Sequence, residues 1–188
     1  DMFRFKVDKE EYALKPMNCP ESALFYGHTK RSYRDLPLRL AEIGRLHRNE
    51  LSGVLGGLLR VRQITMDDAH IFCRHDQIKN ELVNVLKMTQ EFYQKLGLPV
   101  SCGLATRPKK AMGDKKTWDT AEKILGEALD EANLPYQTLK GEGAFYGPKI
   151  HFDIRDSLGR VWTVATPQLD LQMPERFRLE YTAENGKP

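Results

Sequence analysis

The feature that most constrains this chain is an alternation. Arg60, Arg62, Ile64, Met66, Asp68 and His70 occupy every second position of one run. In a β-strand such positions share a face. The opposite row holds Val61, Gln63, Thr65, Asp67, Ala69 and Ile71, so neither row is a plain apolar core face. A second extended run precedes it, and the turn-rich stretch Leu51-Ser-Gly-Val-Leu-Gly-Gly57 lies between them. The pattern predicts two long strands, Arg39 to Glu50 and Leu59 to Phe72, paired antiparallel. Leu46, Arg48 and Glu50 then share one face, and Arg48, Glu50, Arg60 and Arg62 converge on one sheet surface. Guanidinium groups in that number suit a polyphosphate, which they grip through paired hydrogen bonds. The glycines would let a ligand approach the backbone closely. The G-x-x-x-x-G-K-[ST] and G-x-G-x-x-G cradles are both missing, so any nucleotide site is built on the sheet. On spacing alone, an exposed face with local ion pairs stays equally open.

The rest of the chain sets the fold class. Asn18 to His28 suits a short helix. Asp76 to Leu96 carries Ile78, Leu82, Val85, Leu86, Thr89, Phe92, Tyr93 and Leu96 on one helical stripe, with Gly97 as the stop. Thr117 to Asn133 repeats that pattern with Trp118, Ala121, Ile124, Leu125, Ala128, Leu129 and Ala132. Lys149 to Arg155 alternates, and Asp156-Ser-Leu-Gly159 joins it to a further strand as a hairpin. The order predicts an α+β fold with a mainly antiparallel sheet flanked by helices. A length of 188 residues suits one domain, and 40% hydrophobic residues supply a core. No apolar run is long enough for a membrane helix, and no secretory signal is visible. The polar run Glu184 to Pro188 reads as an open loop. The net charge of only +3 excludes a binder held by charge alone but permits local basic patches. Three cysteines, Cys19, Cys73 and Cys102, make no disulfide framework and fit a reducing, cytoplasmic setting. Cys19 and His70 form a candidate zinc pair by donor type. The alternative is a buried thiol and an unrelated, hydrogen-bonded histidine.

Several segments carry a family resemblance. They are Lys15-Pro-Met-Asn-Cys-Pro20, Arg34-Asp-Leu-Pro-Leu-Arg39, His47-Arg-Asn-Glu50, Arg60-Val-Arg62, Asp67-Asp-Ala-His-Ile-Phe-Cys73, Gly141 to Ile150, Gln168-Leu-Asp170 and Pro174-Glu-Arg-Phe177. Together they closely resemble the catalytic domain of the threonyl-tRNA synthetases, a class II aminoacyl-tRNA synthetase family. The resemblance runs over essentially all of residues 1–188. It implies threonine activation by ATP, with Mg2+, and transfer to tRNA(Thr) in a homodimeric parent away from membranes. It implies that Arg48 grips the α-phosphate, Glu50 meets the adenine and Arg60 is a second ATP-binding arginine. Leu59, Ile64, Met66, Thr163 and Thr166 would line the ATP pocket. Met17, Asp68, Tyr146 and Gln168 would hold the amino acid, and Lys149 would act with Arg48 at the reacting phosphate. Cys19 and His70 would be two zinc ligands of the complete enzyme, where the metal separates threonine from valine by taking its hydroxyl.

The resemblance has departures. By family pattern, motif 1 would precede residue 1, while motif 3 and a third zinc-binding histidine would follow residue 188. The chain alone is therefore expected to be poorly active and to hold zinc weakly. Ile64 replaces an aromatic that stacks on adenine, and Met66 replaces a glutamine. Thr163-Val164-Ala165 replaces Gln-Cys-Gly, and Gly56 replaces a histidine. Two other readings remain. One is a synthetase-like binding or regulatory module without aminoacylation. The other is an RNA-binding module alone, which the small net charge disfavours.

Overall fold

A computed structural model describes residues 2–188. The chain divides into two compact units. One is Asp1–Phe72 with Leu179–Pro188, and the other is Cys73–Arg178.

The first unit opens with a hairpin that the alternation did not announce. Its strands are β1 (Arg4–Val7) and β2 (Glu10–Ala13), paired antiparallel. Phe5 stacks on Tyr12 at 5.9 Å between ring centroids. Helix α1 (Cys19–Gly27) follows, then strands β3 (Leu38–His47) and β4 (Gln63–Phe72). These two pair antiparallel from Leu38↔Phe72 to His47↔Gln63. Both are shorter than expected at the turn end. Arg48 N still donates to Arg62 O at 2.8 Å, but Glu50 N turns back onto Arg48 O, also at 2.8 Å. That turn ends the ladder, and residues 51–60 are exposed.

Helix α1 covers the inward face of the pair. Tyr26 stacks on Phe72 at 4.6 Å between centroids. The approach is closest at Gly44, where a Cβ would sit 2.4 Å from Asn18 Oδ1. Only glycine fits there. The late segment of the chain completes this unit. Thr182 bridges to Ser32, Tyr33 N donates to Thr182 O at 2.9 Å, and Thr182 N donates to Arg31 O at 2.8 Å. The polar run expected as an open loop is a closed turn, with Ala183 N donating to Lys187 O at 2.7 Å.

The second unit holds a four-stranded sheet in the order β6 (Tyr136–Leu139), β5 (Ser101–Ala105), β7 (Lys149–Arg155), β8 (Val161–Ala165). Helices α2 (Ile78–Lys95) and α3 (Lys115–Glu131) supply its core partners, and a short α4 (Met173–Arg176) follows β8. Leu86, Leu125, Leu129, Ile150 and Phe152 are fully buried together. The β5–β6 pair is parallel, because α3 returns the chain between them, while the other described pairs are antiparallel. The fold class is as expected, although the strands form three sheets.

The stripe of α2 needs correction. Tyr93 turns inward and its hydroxyl donates to Val164 O at 2.9 Å. Phe92 and Leu96, placed on the core stripe by spacing, are each 57% exposed. Helix α3 begins two residues earlier than expected because Asp114 caps it, accepting from Thr117 N at 3.0 Å. In the β7–β8 hairpin, Asp156 accepts from Leu158 N, Arg160 N, Arg160 Nε and Trp162 Nε1. These bonds hold its carboxyl far below the usual carboxylate range, the Trp162 bond contributing most. No described helix is long and apolar enough to cross a membrane.

Candidate functional site

In the first unit the site grows from the register of β3 and β4. Leu46↔Ile64, Gly44↔Met66, Glu42↔Asp68 and Leu40↔His70 are paired. Ile64, Met66, Asp68 and His70 are half-buried, while Gln63, Thr65, Asp67 and Ala69 are exposed. The expected alternation therefore holds over β4. It brings a residue that sequence reasoning passed over: donor atoms of Glu42, Asp68 and His70 all lie within 4.8 Å of one another. The signal was available, since Glu42 sits among Leu40, Gly44 and Leu46 on the inward row of β3.

Asn18 was also missed. It is 0% exposed and occupies the N-cap position of α1, yet its side chain makes no cap bond. Its Nδ2 donates instead to Asp68 Oδ2 at 3.2 Å. Asp68 Oδ1 accepts from Ala69 N at 2.9 Å, and Ser22 Oγ donates to Glu42 Oε1 at 3.1 Å. Helix α1 thus forgoes a capping bond, and its first turns hold both carboxylates in place. His70 Nδ1 is buried without a hydrogen-bond partner. Cys19, the first residue of α1, is half-buried and lies outside the Glu42–Asp68–His70 group.

At the other end of the hairpin Glu50 draws two of the arginines together. Arg60 Nη2 donates to Glu50 Oε2 at 3.1 Å, and Arg62 Nε donates to the Glu50 carbonyl at 3.0 Å. Arg48 Nε donates to Pro16 O at 3.1 Å, and His47 N donates to Lys15 O at 2.9 Å. The end of β3 is thereby tied to the segment that carries half-buried Met17 and leads to Cys19. Leu59 is 67% exposed in the turn-rich connection. An open cleft of about 480 Å³ flanks the same turn, lined by Met2, Arg4, Asn49 and Leu51.

In the second unit, Tyr146 Oη donates to Gln168 Oε1 at 2.5 Å, and Lys149 bridges to Gln168. The structure therefore brings Tyr146, Lys149 and Gln168 together. Gly147 permits this, since a Cβ there would lie 2.2 Å from Leu169 O. Lys149, His151 and Asp153 alternate with the buried Ile150 and the fully buried Phe152. His151 Nε2 is buried without a partner, and burial followed by the nearby Lys149 charge pushes its pKa down. Thr163 Oγ1 donates to Asp153 Oδ1 at 2.6 Å. Thr166 is exposed just beyond β8. Burial pushes the Cys73 and Cys102 thiols up to about 11, so both are protonated at neutral pH.

Residues 3–188 match a family described as the tRNA synthetase class II core domain (G, H, P, S and T). The chain is 51% identical over 187 residues to a threonine–tRNA ligase of Caldanaerobacter subterraneus, covering 100% of this chain and 29% of that protein. It is also 51% identical to one of Carboxydothermus hydrogenoformans, covering 100% and 30%. The chain thus spans about three-tenths of the length of the curated relatives it matches. Among solved structures, the RNA binding domain of threonyl-tRNA synthetase from Cryptosporidium parvum superposes with a TM-score of 0.94 at 45% identity, covering 98% of this chain and 46% of that one. A prolyl-tRNA synthetase from Cryptosporidium parvum shares the fold, with a TM-score of 0.67 at 17% identity over 98% of this chain and 34% of that one.

Proposed function

We propose, because this chain belongs to the class II tRNA synthetase core family and within it to the threonyl-tRNA synthetases, that it forms part of a threonine–tRNA ligase. That enzyme activates threonine with ATP to threonyl-adenylate and passes the threonyl group to tRNA(Thr). The observation that carries the reading is the β3–β4 surface. It sets Glu42, Asp68 and His70 on the inward face of the hairpin and Arg48, Glu50 and Arg60 at its turn end.

Attack of a carboxylate on the α-phosphorus needs alignment and charge neutralisation more than covalent help. Arg48 spends one N–H on Pro16 O and keeps its other guanidinium donors for phosphate oxygens. Glu50 orients Arg60 through their ion pair and has a second carboxylate oxygen for an adenine amine. Asp68, steadied by Asn18, attracts the ammonium of the amino acid, and Glu42 adds to that field. Within the second unit Gln168 fixes the Tyr146 hydroxyl, and the family resemblance gives Tyr146 a role toward the amino acid and Lys149 one toward the phosphate. Zn2+ suits the donor types of Cys19, a thiol, and His70, whose Nδ1 has no competing hydrogen bond, although the donors that lie within 4.8 Å of His70 are Glu42 and Asp68. When bound, the metal supplies a Lewis acid for the threonine hydroxyl, which valine lacks.

A second reading, a module that binds without transferring, is favoured by Thr163, whose hydroxyl proton is given to Asp153 and is not available to donate to a nucleotide. Calorimetry on this chain tests the division of labour. Arg48→Ala should remove ATP binding, and His70→Ala should leave it nearly intact while removing zinc-dependent threonine binding. Equal loss of ATP binding in both variants would refute the division of the hairpin into a phosphate half and an amino-acid half.

A further inference from the structure

The densest charge in the molecule lies between β5 and α3. Residues Thr106 to Lys116 carry Arg107, Lys109, Lys110, Lys115 and Lys116 against Asp114 alone, a net +4. The whole chain nets +3 from 29 basic and 26 acidic residues, so everything outside these eleven residues nets −1. All five cations are exposed, and none forms an ion pair with a described residue.

Two of them stand where a helix disfavours them. Lys115 and Lys116 are the first residues of α3, and its first turn contains no acid. The positive end of the helix dipole makes that placement unfavourable, so the local preference has been given up. The segment is also held in place. Gly143 N donates to Thr106 O at 2.8 Å, and Met112 N donates to Phe145 O at 2.7 Å. Trp118 Nε1 donates to Met112 O at 2.7 Å from a side chain that is 2% exposed. A Cβ on Gly143 would lie 2.7 Å from Thr106 O, so the two loops touch backbone to backbone. These bonds set the basic segment alongside Phe145, which is 52% exposed and meets Tyr146 edge to face at 5.0 Å between centroids.

Exposed cations on a tethered segment beside an exposed ring suit a nucleic-acid strand: phosphates meet the charges and an unpaired base stacks on the ring. We propose that Arg107, Lys109, Lys110, Lys115 and Lys116 bind the phosphate backbone of an RNA strand and that Phe145 stacks on one of its bases. The inference rests on the reading of the chain as part of a tRNA ligase and names the surface that RNA would use.

The test is fluorescence anisotropy of the 188-residue chain with a labelled tRNA(Thr) transcript, across about 50 to 200 mM KCl. Lys109→Ala with Lys110→Ala, and separately Lys115→Ala with Lys116→Ala, should each weaken binding about tenfold. Each pair should also flatten the log–log salt slope by about 1.5 to 2. Phe145→Leu should weaken binding about tenfold with the slope unchanged. Lys87→Ala with Lys95→Ala, on α2, removes the same charge elsewhere and should alter neither quantity. Equal losses from the α2 pair, or an unchanged slope in both loop pairs, overturn the proposal. So does loss of binding to phosphatidylserine vesicles without loss of RNA binding. ATP calorimetry on the same preparations separates the failures. Wild type that binds ATP but no RNA overturns this inference alone. A salt-slope effect without ATP binding overturns the assignment of Arg48, Glu50 and Arg60 to ATP and leaves the RNA surface standing.

Discussion

Gly44→Ala probes the closest approach in the first unit. The added Cβ would lie 2.4, 2.5 and 2.7 Å from Asn18 Oδ1, Nδ2 and Cγ. Asn18 is 0% exposed and has no room to give, so its amide must swing away and release Asp68 Oδ2. Overpacking a close-fitted site costs about 1–3 kcal/mol. Loss of a hydrogen bond to a charged acceptor costs about 1.5–3 kcal/mol. The sum is about 2.5–6 kcal/mol, a large share of the roughly 5–15 kcal/mol that holds a domain together. Asn18→Ala alone removes the same bond but also removes Asn18 Oδ1, a buried oxygen without a partner, so its net cost should be smaller, about 1–2 kcal/mol. With Asn18 shortened, the new methyl at position 44 has space. The double variant should therefore be about as stable as Asn18→Ala, giving a coupling as large as the Gly44→Ala cost, about 2.5–6 kcal/mol. Urea unfolding of the four proteins by far-UV circular dichroism measures this. Tryptophan fluorescence would miss it, because Trp118 and Trp162 both lie in the other unit. Losses that add to within about 0.5 kcal/mol would show that Gly44 is not kept small by Asn18.

Other expectations follow from the second unit and the thiols. The carboxyl of Asp156 is depressed in the folded state, so its stabilising effect is full above the ordinary carboxylate range and is lost as pH falls through its lowered folded value. Asp156→Ala should destabilise the β7–β8 hairpin at neutral pH and remove the part of the acid-induced loss that Asp156 causes, read from the near-ultraviolet signal of Trp162. Cys73 and Cys102, pushed up to about 11, should resist iodoacetamide at pH 8 until the chain unfolds. The alkylated cysteine found by mass spectrometry in native protein should then be Cys19, and added zinc should protect it. Early labelling of Cys102 would contradict the burial that raises it.

Legibility in the sequence followed the range of the interaction. The inward row of β4 was readable because alternation is a property of one strand, and Ile64, Met66, Asp68 and His70 do share a half-buried face. Glu42 and Asn18 were not, because what makes them part of the site is a cross-strand register and a helix start, both set by tertiary pairing. Arg60 and Arg62 both meet Glu50, while the Arg48 guanidinium reaches Pro16 O. Strand geometry was extended through Glu50, whereas the backbone turns at Arg48 and each arginine finds its own carbonyl or carboxylate. On α2, one residue of rotation separates Phe92 from Tyr93. Spacing admits both to a broad stripe, and only the Tyr93 bond to Val164 decides which faces in. The parallel β5–β6 pair depends on where α3 returns the chain, which no local pattern records.

The bridge from Thr182 to Ser32 has a consequence for how the molecule is made. Strands β3 and β4 are complete once residue 72 has been synthesised, but the segment that closes that unit begins at Leu179. The second unit, Cys73–Arg178, is translated in between. At roughly 5–20 residues per second that interval lasts about 5–20 s. Throughout it, Tyr33 N and Arg31 O lack their eventual partner on Thr182, and Tyr26 lacks the carbonyl of Glu180. A ribosome pausing within residues 73–178 would lengthen the life of an unsealed first unit, while the second unit, continuous in sequence, has no such wait.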